Sequence, residues 1–219
     1  MIHICLPEQT GKAHYAFGHY GKNIKGAASS ADYIPTVVAY KGDEVCIGHI
    51  AKKNITKKGY ESYEYFKLRL GSDANTVIEN KTKTPTEVTA DYIRELLSEY
   101  RRVQNIDSID GVVMTVPETW FREESNRTAR ENIEKIYEDL GFDIESQFQL
   151  ESEPVAAAGY FCWAYEQSKE KNPQGDKFNG FITVVDYGGG TLDVTLCFAS
   201  NNCYLTMYYH VLEIFNPLW

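Results

Sequence analysis

One stretch constrains this chain more than any other: Val185-Asp186-Tyr187-Gly188-Gly189-Gly190-Thr191-Leu192-Asp193-Val194. Apolar runs at residues 181–185 and 192–198 flank the glycines, so the stretch reads as two strands joined by a tight turn. Three successive glycines reach backbone conformations closed to other residues. They also bring N–H groups up to an anion with no side chain in the way. Asp186, ending the first strand, is placed to hold a hydrated Mg²⁺ or to orient a water, and the Thr191 hydroxyl can add a phosphate contact. An ordinary glycine hairpin turn uses the same residues.

The rest of the chain supplies context. Residues 3–6 and 13–17 read as short strands around a Gly11 turn, and residues 34–40 and 45–47 as strands separated by Lys41-Gly42-Asp43. Residues 51–83 are polar, with a short helix at 63–70. Thr84-Pro85-Thr86-Glu87 combines an N-cap threonine, a proline in the first turn and a glutamate spaced for a capping box. Val88, Tyr92, Leu96, Tyr100 and Val103 then recur at helical spacing. Residues 111–116 (GVVMTV) form a continuous apolar run ended by Pro117, as a strand buried on both faces would be. A second helix is predicted over residues 122–140, with Ala129, Ile133, Ile136, Tyr137 and Leu140 inward and Gly141 as its stop. A strand at 144–150 follows, then a helix opened by Pro154, then a polar loop over 167–179. Glu153, just before Pro154, would stand at the end of a strand and the start of a helix. By itself, Glu before Pro is most often only a helix start. Antiparallel strands early and strand–helix alternation later predict an α/β fold, a mixed sheet with helices on its faces. Residues 111–116, 181–185 and 192–196 are expected to share one sheet, with both helices packed on it.

Bulk properties narrow the function. The 219 residues carry a formal net charge of -9, which disfavours a nonspecific grip on nucleic acid or on an anionic membrane. Five cysteines with no C-x-x-C pair fit a reducing cytoplasm better than a disulfide framework. No apolar run approaches membrane-spanning length.

Taken in order, GVVMTVP with Trp120-Phe121, the helix over 122–140, Glu153-Pro154-Val155-Ala156-Ala157-Ala158 and residues 185–194 resemble the ATPase domain of the heat-shock protein 70 family. The matching family patterns are V-P-A-Y-F, N-E-P-T-A-A-A and D-L-G-G-G-T-F-D-V. Residues 34–40 are similar to its P-S-x-V-A-F strand, and Ile47-Gly48 with Ala51-Lys52 to its I-G-x-x-A-K. The likeness covers residues 33–196. Several short motifs agreeing in order are more specific than any one of them.

The resemblance implies an actin-like ATPase (ribonuclease H-like) fold. It also implies ATP hydrolysis to ADP with Mg²⁺, switching a chaperone between loose and tight grip on unfolded polypeptide with the help of co-chaperones. It assigns Asp186 to metal-bound and catalytic water, Gly188, Gly189, Gly190 and Thr191 to a phosphate loop, and Glu153 to the neighbourhood of the attacking water. Lys67, in Tyr65-Phe66-Lys67-Leu68-Arg69-Leu70-Gly71, is similar to the family's phosphate-reaching lysine in A-K-R-L-I-G. Read alone, it is an ordinary solvated surface lysine.

The departures matter as well. The family's other phosphate loop, D-x-G-T-T, is expected just upstream of Met1. The stretch His19-Tyr20-Gly21-Lys22-Asn23 is a poorer match, since a neutral histidine replaces the metal-side carboxylate. Residues 1–196 are expected to form a single lobe. Residues 197–219 depart from the family as an apolar, aromatic tail, and the lobe that holds the adenosine is expected to be absent. On this reading the chain alone is an incomplete and weakly active or inactive ATPase fragment. The competing readings are a non-enzymatic remnant of the fold and another actin-like protein, a filament former or a sugar kinase.

Overall fold

The computed structural model describes residues 2–5, 34–71, 73–78, 80–168, 170–188, 191–200 and 203–213. The chain is a mixed α/β protein with two compact units. The N-terminal unit takes in Ile2–Val113 and Glu123–Gln149, and the C-terminal unit takes in Met114–Arg122 and the chain from Leu150 onward. The predicted strand at 13–17 and the stretch 19–23 considered for the other phosphate loop lie outside the described residues.

In the N-terminal unit, β1 (Ile2–Cys5) comes first in the chain. Then β2 (Val37–Lys41) lies between β3 (Glu44–Ile47) and β4 (Glu61–Glu64), antiparallel to both. The two-residue loop between β2 and β3 has Gly42 at φ +59°, a conformation glycine adopts at little cost. Helix α1 (Gly48–Asn54) follows β3, and Val37, Ala39, Cys46 and Ala51 pack together beneath it. Sequence periodicity gave no sign of α1: it has no capping side chain, and two lysines and an asparagine crowd its last turn. The predicted helix at 63–70 is a strand end followed by a single 3-10 turn at Phe66–Arg69.

Helix α2 (Pro85–Gln104) starts as its sequence dictates. The Thr84 hydroxyl accepts from the Glu87 amide at 3.2 Å, and the Glu87 carboxylate accepts from the Thr84 amide at 2.8 Å. Two amides left over at the helix start are thereby satisfied. Its apolar stripe, Val88, Tyr92, Ile93, Leu96, Leu97 and Tyr100, is buried. α2 packs on β2, β3 and the 3-10 turn, where Tyr92 meets Phe66 with ring centroids 6.0 Å apart.

β5 (Gly111–Val116) is followed by the short α3 (Thr119–Arg122) and by α4 (Arg127–Asp139). The helix predicted from residue 122 therefore begins five residues later. Glu123 is extended, and a 3-10 turn at Glu124–Asn126 intervenes. Gly141, at φ +90°, ends α4 as expected. The strand predicted from residue 144 starts later, as β6 (Phe148–Ser152). Before it, the Asp143 side chain accepts from the amides of Glu145 and Ser146 and holds those residues in a turn.

The remaining elements belong to the C-terminal unit: α5 (Glu153–Gln167), β7 (Gly180–Gly188), β8 (Thr191–Ser200) and β9 (Cys203–Glu213). Strand β8 runs on past Leu196, and β9 pairs antiparallel with it.

The expectation that 111–116, 181–185 and 192–196 share one sheet is wrong. Among the described residues the strands form three separate sheets, ordered β1-β5-β6, β3-β2-β4 and β7-β8-β9. β5 has both edges occupied, by β1 and β6, whereas β7 pairs with β8 at nine successive positions. α2 contacts β2 and β3 of the β3-β2-β4 sheet. Among the described residues, no helix is long and apolar enough to cross a membrane.

Candidate functional site

The site grows from the β7–β8 hairpin. Its ladder runs from Gly180↔Ala199 to Gly188↔Thr191, which leaves residues 189 and 190 as the connection. Gly188 and Thr191 are thus the last paired positions of the two strands. Gly189 and Gly190 lie outside the described residues, so their amides are not placed. The pairing sets Asp186 directly opposite Asp193. Cross-strand partners point to the same face, so two carboxylates are held side by side at the turn end of the hairpin, an arrangement that costs stability unless something positive lies between.

Along β8 the same face continues through Thr195, Cys197 and Ala199, all buried. α5 packs on this hairpin, and the Cys197 thiol lies 4.0 Å from the Pro154 carbonyl. Burial pushes that thiol above its ordinary titration range, with the Glu118 carboxylate and Cys162 adding to the shift. The start of α5, carrying Glu153 and Pro154, therefore sits against the strands that bear Asp186 and Asp193.

A cleft of about 400 Å³ opens here, lined by Pro117, Glu118, Glu153, Pro154, Ala157, Asp186, Asp193 and Thr195, together with Val184 and Val185. The volume falls in the range of small-molecule sites. Pro117 and Glu118 arrive from the end of β5, which the chain enters the unit to deliver. Four carboxylates line the walls, and among the described residues no lysine or arginine does. One of the four is already neutralised: Arg122 Nε lies 2.8 Å from Glu118 Oε1, and the Glu118 side chain is only 7% exposed. Asp186, by contrast, is exposed, and Glu153 is half-buried.

Of the residues singled out from sequence, the structure brings Asp186 and Glu153 to one cleft, at the end of the hairpin that Gly188 and Thr191 close. Lys67 stands in the other unit, half-buried on the Phe66–Arg69 turn. Two cleft residues were missed. Asp193 was legible in principle, because a hairpin turning at 189–190 must pair it with Asp186. Glu118 carries the same local signal as Glu153, an acidic residue beside a proline at a strand end.

No protein-family model matches this chain. The likeness to the heat-shock protein 70 ATPase thus rests on the motifs quoted above.

The donor set can be weighed against Mg²⁺ with nucleotide. Among the described residues, no three His, Cys, Asp or Glu side chains converge as a metal cage. Mg²⁺ does not ask for one: it keeps several waters and is held by one or two carboxylates together with substrate phosphates. Exposed Asp186, facing Asp193 beside a glycine turn, suits such outer contact, and the group fits these residues.

Proposed function

We propose that this cleft takes the phosphates and Mg²⁺ of a nucleotide, and that the chain carries the phosphate-binding part of a heat-shock protein 70-like ATPase. The observation that supports this most is the meeting of Asp186, Asp193 and Glu153 in one cleft at the closing end of the glycine hairpin. Residues far apart in sequence come together there as that chemistry would need.

In this reading Asp186 holds the waters around Mg²⁺, and Gly188, Gly189, Gly190 and Thr191 present donors to the phosphates. Glu153 orients the water that attacks. Bound Mg²⁺ would supply the positive charge that lets a polyphosphate sit among carboxylates. The protein's own work is positioning, since phosphoryl transfer leaves little covalent chemistry to side chains. Coupling to unfolded polypeptide and co-chaperones in the cytoplasm would require a full-length chain that carries the rest of such a chaperone.

The walls dictate how the reading is tested. An acidic cleft repels a bare polyphosphate and accepts it only with its cation. Calorimetric titration should show binding of ADP with Mg²⁺ and none in EDTA. The Asp186→Ala variant should bind Mg²⁺·ADP at least about tenfold more weakly, the equivalent of one charged contact. Binding that ignores Mg²⁺, or that Asp186→Ala leaves unchanged, would overturn the proposal.

A further inference from the structure

We propose that Glu118 is a positioning residue of the cleft, whose buried carboxylate clamps Ser152 and thereby fixes the first turn of α5, on which Glu153 stands. Its functional meaning rests on the phosphate-cleft reading, whereas the clamp itself rests on geometry alone.

Ser152 is the N-cap residue of α5. Serine is among the best residues for that position because its oxygen can accept from an amide two or three residues on. Here the Ser152 side chain makes no capping bond. Its hydroxyl donates instead to Glu118 Oε2, thirty-four positions away in the chain. A local preference is thus set aside for a long-range contact, a pattern expected where a site is held in place.

The acceptor is itself fixed. Glu118 Oε1 takes the Arg122 guanidinium at 2.8 Å, one turn along α3, so both carboxylate oxygens are committed. Glu118 and Ser152 are 6% and 4% exposed. A carboxylate so buried is tolerable only when paired, and removing either partner leaves a costly unpaired group. Glu118 also lines the cleft, and Ser152 is bonded directly to Glu153. A shift of the clamp therefore reaches the Glu153 side chain through a single peptide link.

Two measurements separate this role from simple reinforcement of the fold. The first reads amide exchange along α5 by NMR in Glu118→Ala, Ser152→Ala and Ser152→Thr. Loosening of the first turn should speed exchange about tenfold at Ala157 and Ala158, whose amides bond back to residues 153 and 154. Rates further along α5 should stay unchanged, and Ser152→Thr, which keeps the hydroxyl, should restore the wild-type pattern. Equal acceleration along the whole helix, or none, would overturn the clamp. The second is a double-mutant cycle on Mg²⁺·ADP affinity with Glu118→Ala and Glu153→Ala. A residue acting through Glu153 loses its effect once Glu153 is gone, so additive losses would overturn the positioning role. Failure of the wild-type protein to bind Mg²⁺·ADP would refute the phosphate reading, and the exchange measurement would still decide the clamp.

Discussion

Replacing Tyr137 by Phe should stabilise this protein, against the usual direction of core substitutions. Tyr137 is fully buried on α4, stacked on Phe148 with ring centroids 4.2 Å apart and edge-on to Phe142 at 5.7 Å. Phenylalanine keeps both ring contacts. What it removes is a hydroxyl that has no hydrogen-bond partner among the described residues, in surroundings whose burial drives its titration far above the ordinary tyrosine range. An unpaired buried polar group costs about 1–3 kcal/mol. The void left by one oxygen is small, and at about 24 cal/mol per Å³ it offsets only a fraction of that. The net gain should be about 1 kcal/mol, read as a higher urea midpoint at unchanged slope. Phe148 opens β6, so the substitution tests how α4 packs on that strand. A loss of about 1 kcal/mol would show that the hydroxyl is bonded and the account of this core wrong.

Three further outcomes follow from the same geometry. Thr84→Ala removes half of a reciprocal cap and should cost about 1 kcal/mol in urea unfolding, with Thr84→Ser recovering most of it. Asp91 accepts from Tyr40 at 2.9 Å, Lys83 at 3.0 Å and Arg94 at 2.6 Å. Burial pushes its carboxyl up, but these bonds outweigh it and the group titrates below its ordinary range. A depressed carboxyl stabilises above its unfolded value and loses that contribution as pH falls through its folded one. Asp91→Ala should therefore cost about 1–2 kcal/mol at pH 7, discounted because Lys83 and Arg94 are partly exposed, and the difference should shrink below about pH 4. Cys162 and Cys197, both buried, should resist iodoacetamide in the native protein and react on unfolding, as peptide mass spectrometry would show.

What the sequence reveals follows the range over which each signal acts. The Thr84–Glu87 box, the Pro154 helix start, the Gly141 stop and the β7–β8 hairpin are written within a few residues, and each forms as read. Strand partners are not local. The run GVVMTV announces a strand buried on both faces without naming its neighbours, which is why β5 was grouped with the hairpin instead of with β1 and β6. Helix α1 escaped because packing against β2 and β3 sustains it, with no cap to mark its start. At the cleft, the hairpin's symmetry could have yielded Asp193. The Glu118–Ser152 bond could not be read, since a serine at a helix start promises a cap and here serves another partner.

On the proposed reading, a metal–nucleotide sits between α5 and the turn end of the β7–β8 hairpin. Mn²⁺·ADP, in which the paramagnetic ion stands where Mg²⁺ would, locates that ion through the NMR lines it broadens. Methyl signals of Ala157, Val184, Val185 and Thr195, which line the cleft, should broaden on addition of Mn²⁺·ADP and recover in Asp186→Ala. Lines that stay sharp there, or that broaden just as much without the Asp186 carboxylate, would contradict it.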